Sequence, residues 1–205
     1  MTRSAYYGLL KAKARELRLA FGLNTPRVTL SDLRRIYKAH GIGIDYWKGS
    51  FKTVRGQYSQ TADGPCVMVS AKLPDEQRIS TLAHELKHHF FDQAESALLT
   101  ENEPSEIGAE IFAVELIFPD SDFVAHLEQM GVQRETCTRE HIVRLKHETR
   151  TTLSYGSLAK RAEFMGYAAK GSLGTNGWMK LRDTIYGEPA YKRIQRYRQQ
   201  RARTQ

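Results

Sequence analysis

The chain has 205 residues, 40% of them hydrophobic and 26% charged, which is enough apolar material for one sizeable core and excludes a wholly disordered or fibrous protein. It carries 31 Lys and Arg against 23 Asp and Glu, a net charge of +8, and six of the cations stand in 192–205 without one acid, so most of the excess belongs to the tail. No run approaches the roughly 18 apolar residues of a membrane span, the first residues lack a secretion signal, and two cysteines are too few for a disulfide framework. The expectation is a cytoplasmic protein without membrane contact, with Cys66 and Cys137 as small buried hydrophobes.

Residues 5–21 set Leu9, Leu10, Leu17, Ala20 and Phe21 among Lys and Arg, an amphipathic helix stopped at Gly22. Ser31 is the expected N-cap of a short helix over 32–40 that ends at Gly41. Alternation then predicts a strand over 42–47, and the turns at Gly56 and at Asp63-Gly64-Pro65 bracket further short strands at 57–59 and 66–70. Asp75-Glu76 open a helix with Ile79, Leu82, Ala83, Leu86 and Phe90 on one stripe, reaching about Phe91. A polar break at 101–105 precedes a strongly apolar helix over 106–118, terminated by Pro119. Helical patterns follow at 121–130, 139–149 and 157–165, and after the glycine-rich 171–177 a last one at 178–186. The expected organisation is a core over 1–170 and a helical, basic appendage over 171–205.

His84-Glu85-Leu86-Lys87-His88 is an H-E-x-x-H sequence inside a predicted helix. Residues four apart share a helical face, so both imidazoles can converge on one zinc ion while the glutamate points to its open side. Two histidines leave a catalytic site one protein ligand short. Phe91 and Ala94 stand where a longer H-E-x-x-H-x-x-G-x-x-H motif has its glycine and third histidine, so the ligand is sought on the following helix. Of the acids there, Glu106 and Glu110 lie one turn apart on one face and Glu115 is rotated away. Both remain candidates, since Glu106 could equally serve the helix dipole and Glu110 a solvated face.

The run Val67-Met68-Val69-Ser70, then Leu73, then Glu76 through His88, resembles the strand and metal-binding helix of the ImmA/IrrE metallopeptidase family. Glu106-Ile107-Gly108-Ala109-Glu110-Ile111-Phe112-Ala113-Val114-Glu115-Leu116-Ile117-Phe118-Pro119 is similar to that family's second signature, E-x-x-A-N-x-F-A-x-x-L-L-M-P. The resemblance spans roughly residues 31–166, with 158–166 similar to the closing helix. It implies an α+β, zincin-like fold: a small antiparallel or mixed sheet packed on the H-E-x-x-H helix, with a mainly helical C-terminal half. It also implies His84, His88 and Glu106 as ligands of one zinc per chain and Glu85 as catalytic acid and base. Two positions depart from the pattern: Glu110 replaces asparagine, and Lys87 stands where glycine is common and puts a cation beside the site.

The activity implied is that of a cytosolic zinc endopeptidase of phage or mobile-element type that cleaves an XRE-type helix-turn-helix repressor. Glu110 is expected to accept a hydrogen bond from a ligand histidine, and Tyr58, His89 and Tyr155 are candidates for oxyanion stabilisation. Two other readings compete. In one, 139–166 forms a DNA-binding helix-turn-helix and the zinc is structural, although 151–156 is long for its turn. In the other, the protein is a toxin or stress-response component held in check by a partner. The basic tail is expected to make at most nonspecific nucleic-acid contacts.

Overall fold

The fold of the site begins with how Thr29 starts a helix. A computed structural model describes residues 2–48, 55–98, 105–189, 192, 194 and 195. In it α1 covers Arg3–Phe21 and α2 covers Leu30–Ala39. Thr29, not Ser31, is the N-cap of α2, because Asp32 stands three residues after it and completes a reciprocal capping box: the Thr29 hydroxyl accepts from the Asp32 amide and the Asp32 carboxylate accepts from the Thr29 amide. Ser31 is simply the second residue of the helix.

Three strands follow, β1 (Gly43–Trp47), β2 (Gly56–Thr61) and β3 (Gly64–Ser70). They form one mixed sheet in the order β1-β3-β2, with β1 parallel to β3 and β2 antiparallel to it through the turn at 61–64. In the central strand Val67 and Val69 are buried while Met68 between them is exposed, the alternation of a sheet covered on one face. The cover is α3, Asp75–Leu98, which packs on β2 and β3. It runs past the expected end near Phe91, since nothing at 91–98 is a glycine or proline that would stop it. Tyr37 of α2, fully buried, donates its hydroxyl to the Leu82 carbonyl at 2.7 Å and ties α2 to α3.

The apolar segment after the polar break forms α4, Ser105–Ile117; the break itself, at 101–104, lies outside the described residues. Ala109, Phe112, Ala113, Leu116 and Ile117 are buried, and α4 is enclosed by α1 and α3. Tyr6, Leu10, Ala14 and Leu17 form the buried stripe of α1. Arg18, at the end of that stripe and only 6% exposed, donates to the carbonyls of Leu116 and Ile117 at 2.9 and 3.1 Å. Those carbonyls have no helical partner of their own, so the buried cation caps the negative end of α4. Glu115, also buried, pairs with Arg15 at 2.8 Å and accepts the Asp120 amide at 3.0 Å. It is therefore a structural acid.

The chain divides into two compact units. The first comprises Met1–His126 with Glu148–Ser154, and the second Leu127–His147 with Tyr155–Gln205. The remaining helices are α5 (Asp120–Gln129), α6 (Arg139–Thr149), α7 (Tyr155–Phe164) and α8 (Trp178–Tyr186). Within the second unit, Tyr155 stacks on Trp178 with ring centroids 5.7 Å apart, and the Arg139 guanidinium lies 4.5 Å from the centroid of the Trp178 ring. The architecture is the expected α+β, zincin-like one. Among the described residues no helix is long and apolar enough to cross a membrane, and Cys66, half-buried, and Cys137, buried, are free thiols.

Candidate metal centre

The spacing of four residues places His84 and His88 on one face of α3 with ring centroids 5.2 Å apart. The first turn of α4 brings Glu106 across to them. His84 Nε2 lies 3.1 Å from Glu106 Oε2, and His88 Nε2 lies 3.8 Å from Glu106 Oε1. One ligand atom from each of the three residues falls within 4.8 Å of the other two. Ligand bonds of about 2.0–2.2 Å in a tetrahedron separate neighbouring donors by roughly 3.4 Å, so the spacing suits one small ion and needs little adjustment. The donor set, two imidazole nitrogens and a carboxylate, also suits it. Burial, and then the proximity of His88, lowers the pKa of His84, while Glu106 pulls the other way. A neutral imidazole with a free lone pair is the form that binds a metal.

Glu85, 5% exposed, feels the charges of His88 and Glu106. Its Oε2 accepts the backbone amide of Tyr58 at 2.9 Å, so the edge strand β2 turns an unpaired N–H toward the helix and aims the carboxylate. Burial pushes the Glu85 carboxyl up to about 7, against the opposing influence of His88 and of the Tyr58 amide. Room for it depends on Gly56: a Cβ there would stand 2.4 Å from Thr81 Cγ2 and 3.1 Å from Glu85 Oε1. The Tyr58 hydroxyl meets His89 Nδ1 at 3.2 Å, and the pKa of His89 is lowered by burial and by His40 nearby. Tyr58 thus meets Glu85 through its backbone amide and His89 through its hydroxyl. Tyr155 belongs to the second unit, where Trp178 covers its ring. Glu110 is exposed and acts on His84 by its charge, outside the group of converging ligand atoms.

Two contributors, Asp92 and Gly56, escaped the reading of the sequence, and a residue that it did note, Lys87, is placed differently. Asp92, four residues after His88, presents Oδ2 to His88 Nδ1 at 2.8 Å. The same carboxylate presents Oδ1 to Lys87 Nζ at 3.0 Å, and Lys87, expected as a cation beside the site, has its side chain fully buried. The i, i+4 spacing of Asp92 from His88 was a legible signal; the need for glycine at 56 was not, because it arises from the packing of β2 on α3.

The family model of the IrrE N-terminal-like peptidase domain matches residues 38–163, which include both signature segments and every residue of the group just described. No curated protein matches the sequence. Among solved structures, one described as a Mycobacterium tuberculosis transcriptional regulator is similar with a TM-score of 0.56 and 17% identity, over 80% of this chain and 48% of that one. At that identity the likeness is one of fold, and the chain spans about half the length of that structure. With the family match covering more than half of its length and the H-E-x-x-H helix and its partner glutamate held together in space, the chain belongs to the IrrE N-terminal-like family of metallopeptidase-like proteins.

Proposed function

We propose that the chain is a zinc-dependent endopeptidase that acts on a protein, and that its substrate is a helix-turn-helix repressor of the XRE type whose cleavage relieves repression in the cytoplasm. The observation that carries this reading is the convergence of His84, His88 and Glu106, with a buried Glu85 between the two histidines in the sequence. His84, His88 and Glu106 would hold the ion, and nitrogen donors favour zinc over magnesium or calcium. An ion held there supplies Lewis acidity, which brings the pKa of water toward about 7 and polarises a carbonyl oxygen.

The protein's own part is proton transfer and orientation. Glu85, with Oε2 fixed by the Tyr58 amide, takes the proton of the attacking water and passes it to the departing amine nitrogen. The burial that raises this carboxyl in the metal-free protein favours its proton-carrying form, the one that donates to the departing amine. The Tyr58 hydroxyl and His89, already hydrogen-bonded to each other, are the donors this geometry favours for the developing oxyanion. The family match ends at residue 163, which supports treating 1–170 as the peptidase core and 171–205 as an appendage.

Protein purified without chelator is expected to contain about one zinc per chain, and Glu85→Gln should keep the metal and lose cleavage of a co-expressed repressor. Zinc affinity should fall much further in Glu106→Ala than in Glu110→Ala, because only the former removes a converging ligand atom. A second reading takes support from the description of the solved structure: a transcriptional regulator in which the metal only braces the fold. It requires regulation in cells to survive Glu85→Gln, and the peptidase reading requires it to be lost.

A further inference from the structure

Lys87 is an expensive residue to place where it is. It lies inside the H-E-x-x-H sequence, between the metal-facing His88 and the core residue Leu86, and its side chain is wholly buried. A buried ammonium costs several kcal/mol unless its protons are satisfied and its charge is matched. Asp92, at 3.0 Å, supplies an opposite charge. Space for the stem comes from α4: a Cβ on Gly108 would stand 3.4 Å from Lys87 Cε and 3.1 Å from Leu10 Cδ1, so the absence of a side chain there leaves room for the lysine. Gly108 is two residues beyond Glu106 on the same helix.

Asp92 divides its two oxygens, Oδ1 to Lys87 Nζ and Oδ2 to His88 Nδ1 at 2.8 Å. An aspartate that is 39% exposed has other rotamers and water as competitors for both contacts. A charge held inside the core removes that freedom from one oxygen and thereby sets where the other points. With Asp92 accepting at Nδ1, the proton of neutral His88 resides on Nδ1, and the lone pair is left on Nε2, the atom 3.8 Å from Glu106 Oε1.

We propose that Lys87 is a positioning residue for the metal centre: through Asp92 it fixes the ring orientation and tautomer of His88, so that Nε2 faces the ion. This rests on the metal-site reading above, but its primary consequence belongs to the metal-free protein. A role through bulk charge makes the opposite prediction, since a cation next to a divalent ion repels it and its removal should tighten binding.

The test compares the wild-type chain with Lys87→Met, Asp92→Asn and the double variant. Methionine preserves the volume of the stem without a buried charge, so folding is retained, and far-ultraviolet circular dichroism and thermal unfolding verify it. Long-range proton–nitrogen correlation on metal-free, 15N-histidine-labelled protein at about pH 8, above the ordinary imidazole range, reads the tautomer directly. The wild type should show His88 as the Nδ1–H form, and Lys87→Met and Asp92→Asn should each show a mixture. Competition with a zinc chelator should give affinities roughly 10–100-fold weaker in each single variant, with the double variant no weaker than Asp92→Asn alone. An unchanged tautomer in Lys87→Met, tighter zinc in that variant, or additive losses in the double variant would each overturn the proposal. Absence of zinc binding in the wild type would instead refute the metal-site reading, with the tautomer measurement still deciding the role of Lys87.

Discussion

Glycine 56 shows how much of this site is decided by a single missing atom group. The carboxylate of Glu85 has one oxygen on the Tyr58 amide, and the other occupies the space next to Gly56. Gly56→Ala would place a methyl group 2.4 Å from Thr81 Cγ2, well inside contact distance, and both Thr81 and β2 are too confined to yield freely. The expected outcome is a loss of stability of about 1–3 kcal/mol from overpacking, and a displaced Glu85 that lowers kcat on the order of a hundredfold. Zinc content should be unchanged, because none of the three converging ligand atoms is touched. Chemical denaturation, turnover of a cleavable repressor and elemental analysis separate these effects; loss of zinc together with activity would show that β2 supports the ligands as well. At this scale, the sequence disclosed the residues whose spacing is local. His84, Glu85 and His88 announce themselves because a helix converts a separation of four into a shared face. The same geometry joins His88 to Asp92. Gly56 and Gly108 could not be read this way, since what each makes room for lies on another element.

At the scale of elements, α6 and α8 follow the expected boundaries residue for residue, whereas α2 starts at Leu30 instead of 32 and α3 ends at Leu98 instead of near Phe91. Both differences come from end chemistry. The start of α2 is fixed by the Thr29–Asp32 box, and Ser31, an acceptable cap by type, lacks the acid three places on that makes the box reciprocal. The end of α3 had no capping residue to mark it. The box also has a pH signature. Burial raises the pKa of Asp32, but hydrogen bonds from the Thr29 hydroxyl and amide, and Arg35, outweigh it and hold the carboxyl below its ordinary value of 3.8. A folded-state pKa below the unfolded one means that the stabilisation is complete above the unfolded value and is lost as pH falls through the folded one. Wild type should therefore exceed Asp32→Asn in stability near neutrality, and the gap should shrink in urea titrations carried out below about pH 3.9. A gap that is constant with pH would assign the effect to something other than the charged carboxylate.

At the scale of the whole molecule, the family match begins at residue 38, so α1 and most of α2 precede it, yet α1 forms part of the wall around α4. Leu10 and Leu17 alone account for roughly 1.5–3 kcal/mol each of burial, and Arg18 closes the C-terminal end of α4. Against the 5–15 kcal/mol that typically holds a domain of this kind together, removing residues 1–27 is expected to abolish cooperative folding rather than to trim it. A truncated chain that melted with the same sharp transition as the full one, followed by circular dichroism, would show that α1 is dispensable.

The position of Glu106 has one more consequence. It is the exposed member of the group, with 74% of its side chain accessible, and it belongs to a different helix from the two histidines. An ion shared by the three would therefore be a cross-link between α3 and α4, and its chemical potential would enter the folding equilibrium directly. At free metal one hundred times the dissociation constant this linkage amounts to about 2.7 kcal/mol, comparable to the burial of a large core side chain. The same cell that supplies or withholds the ion would then set the lifetime of the protein as well as its chemistry.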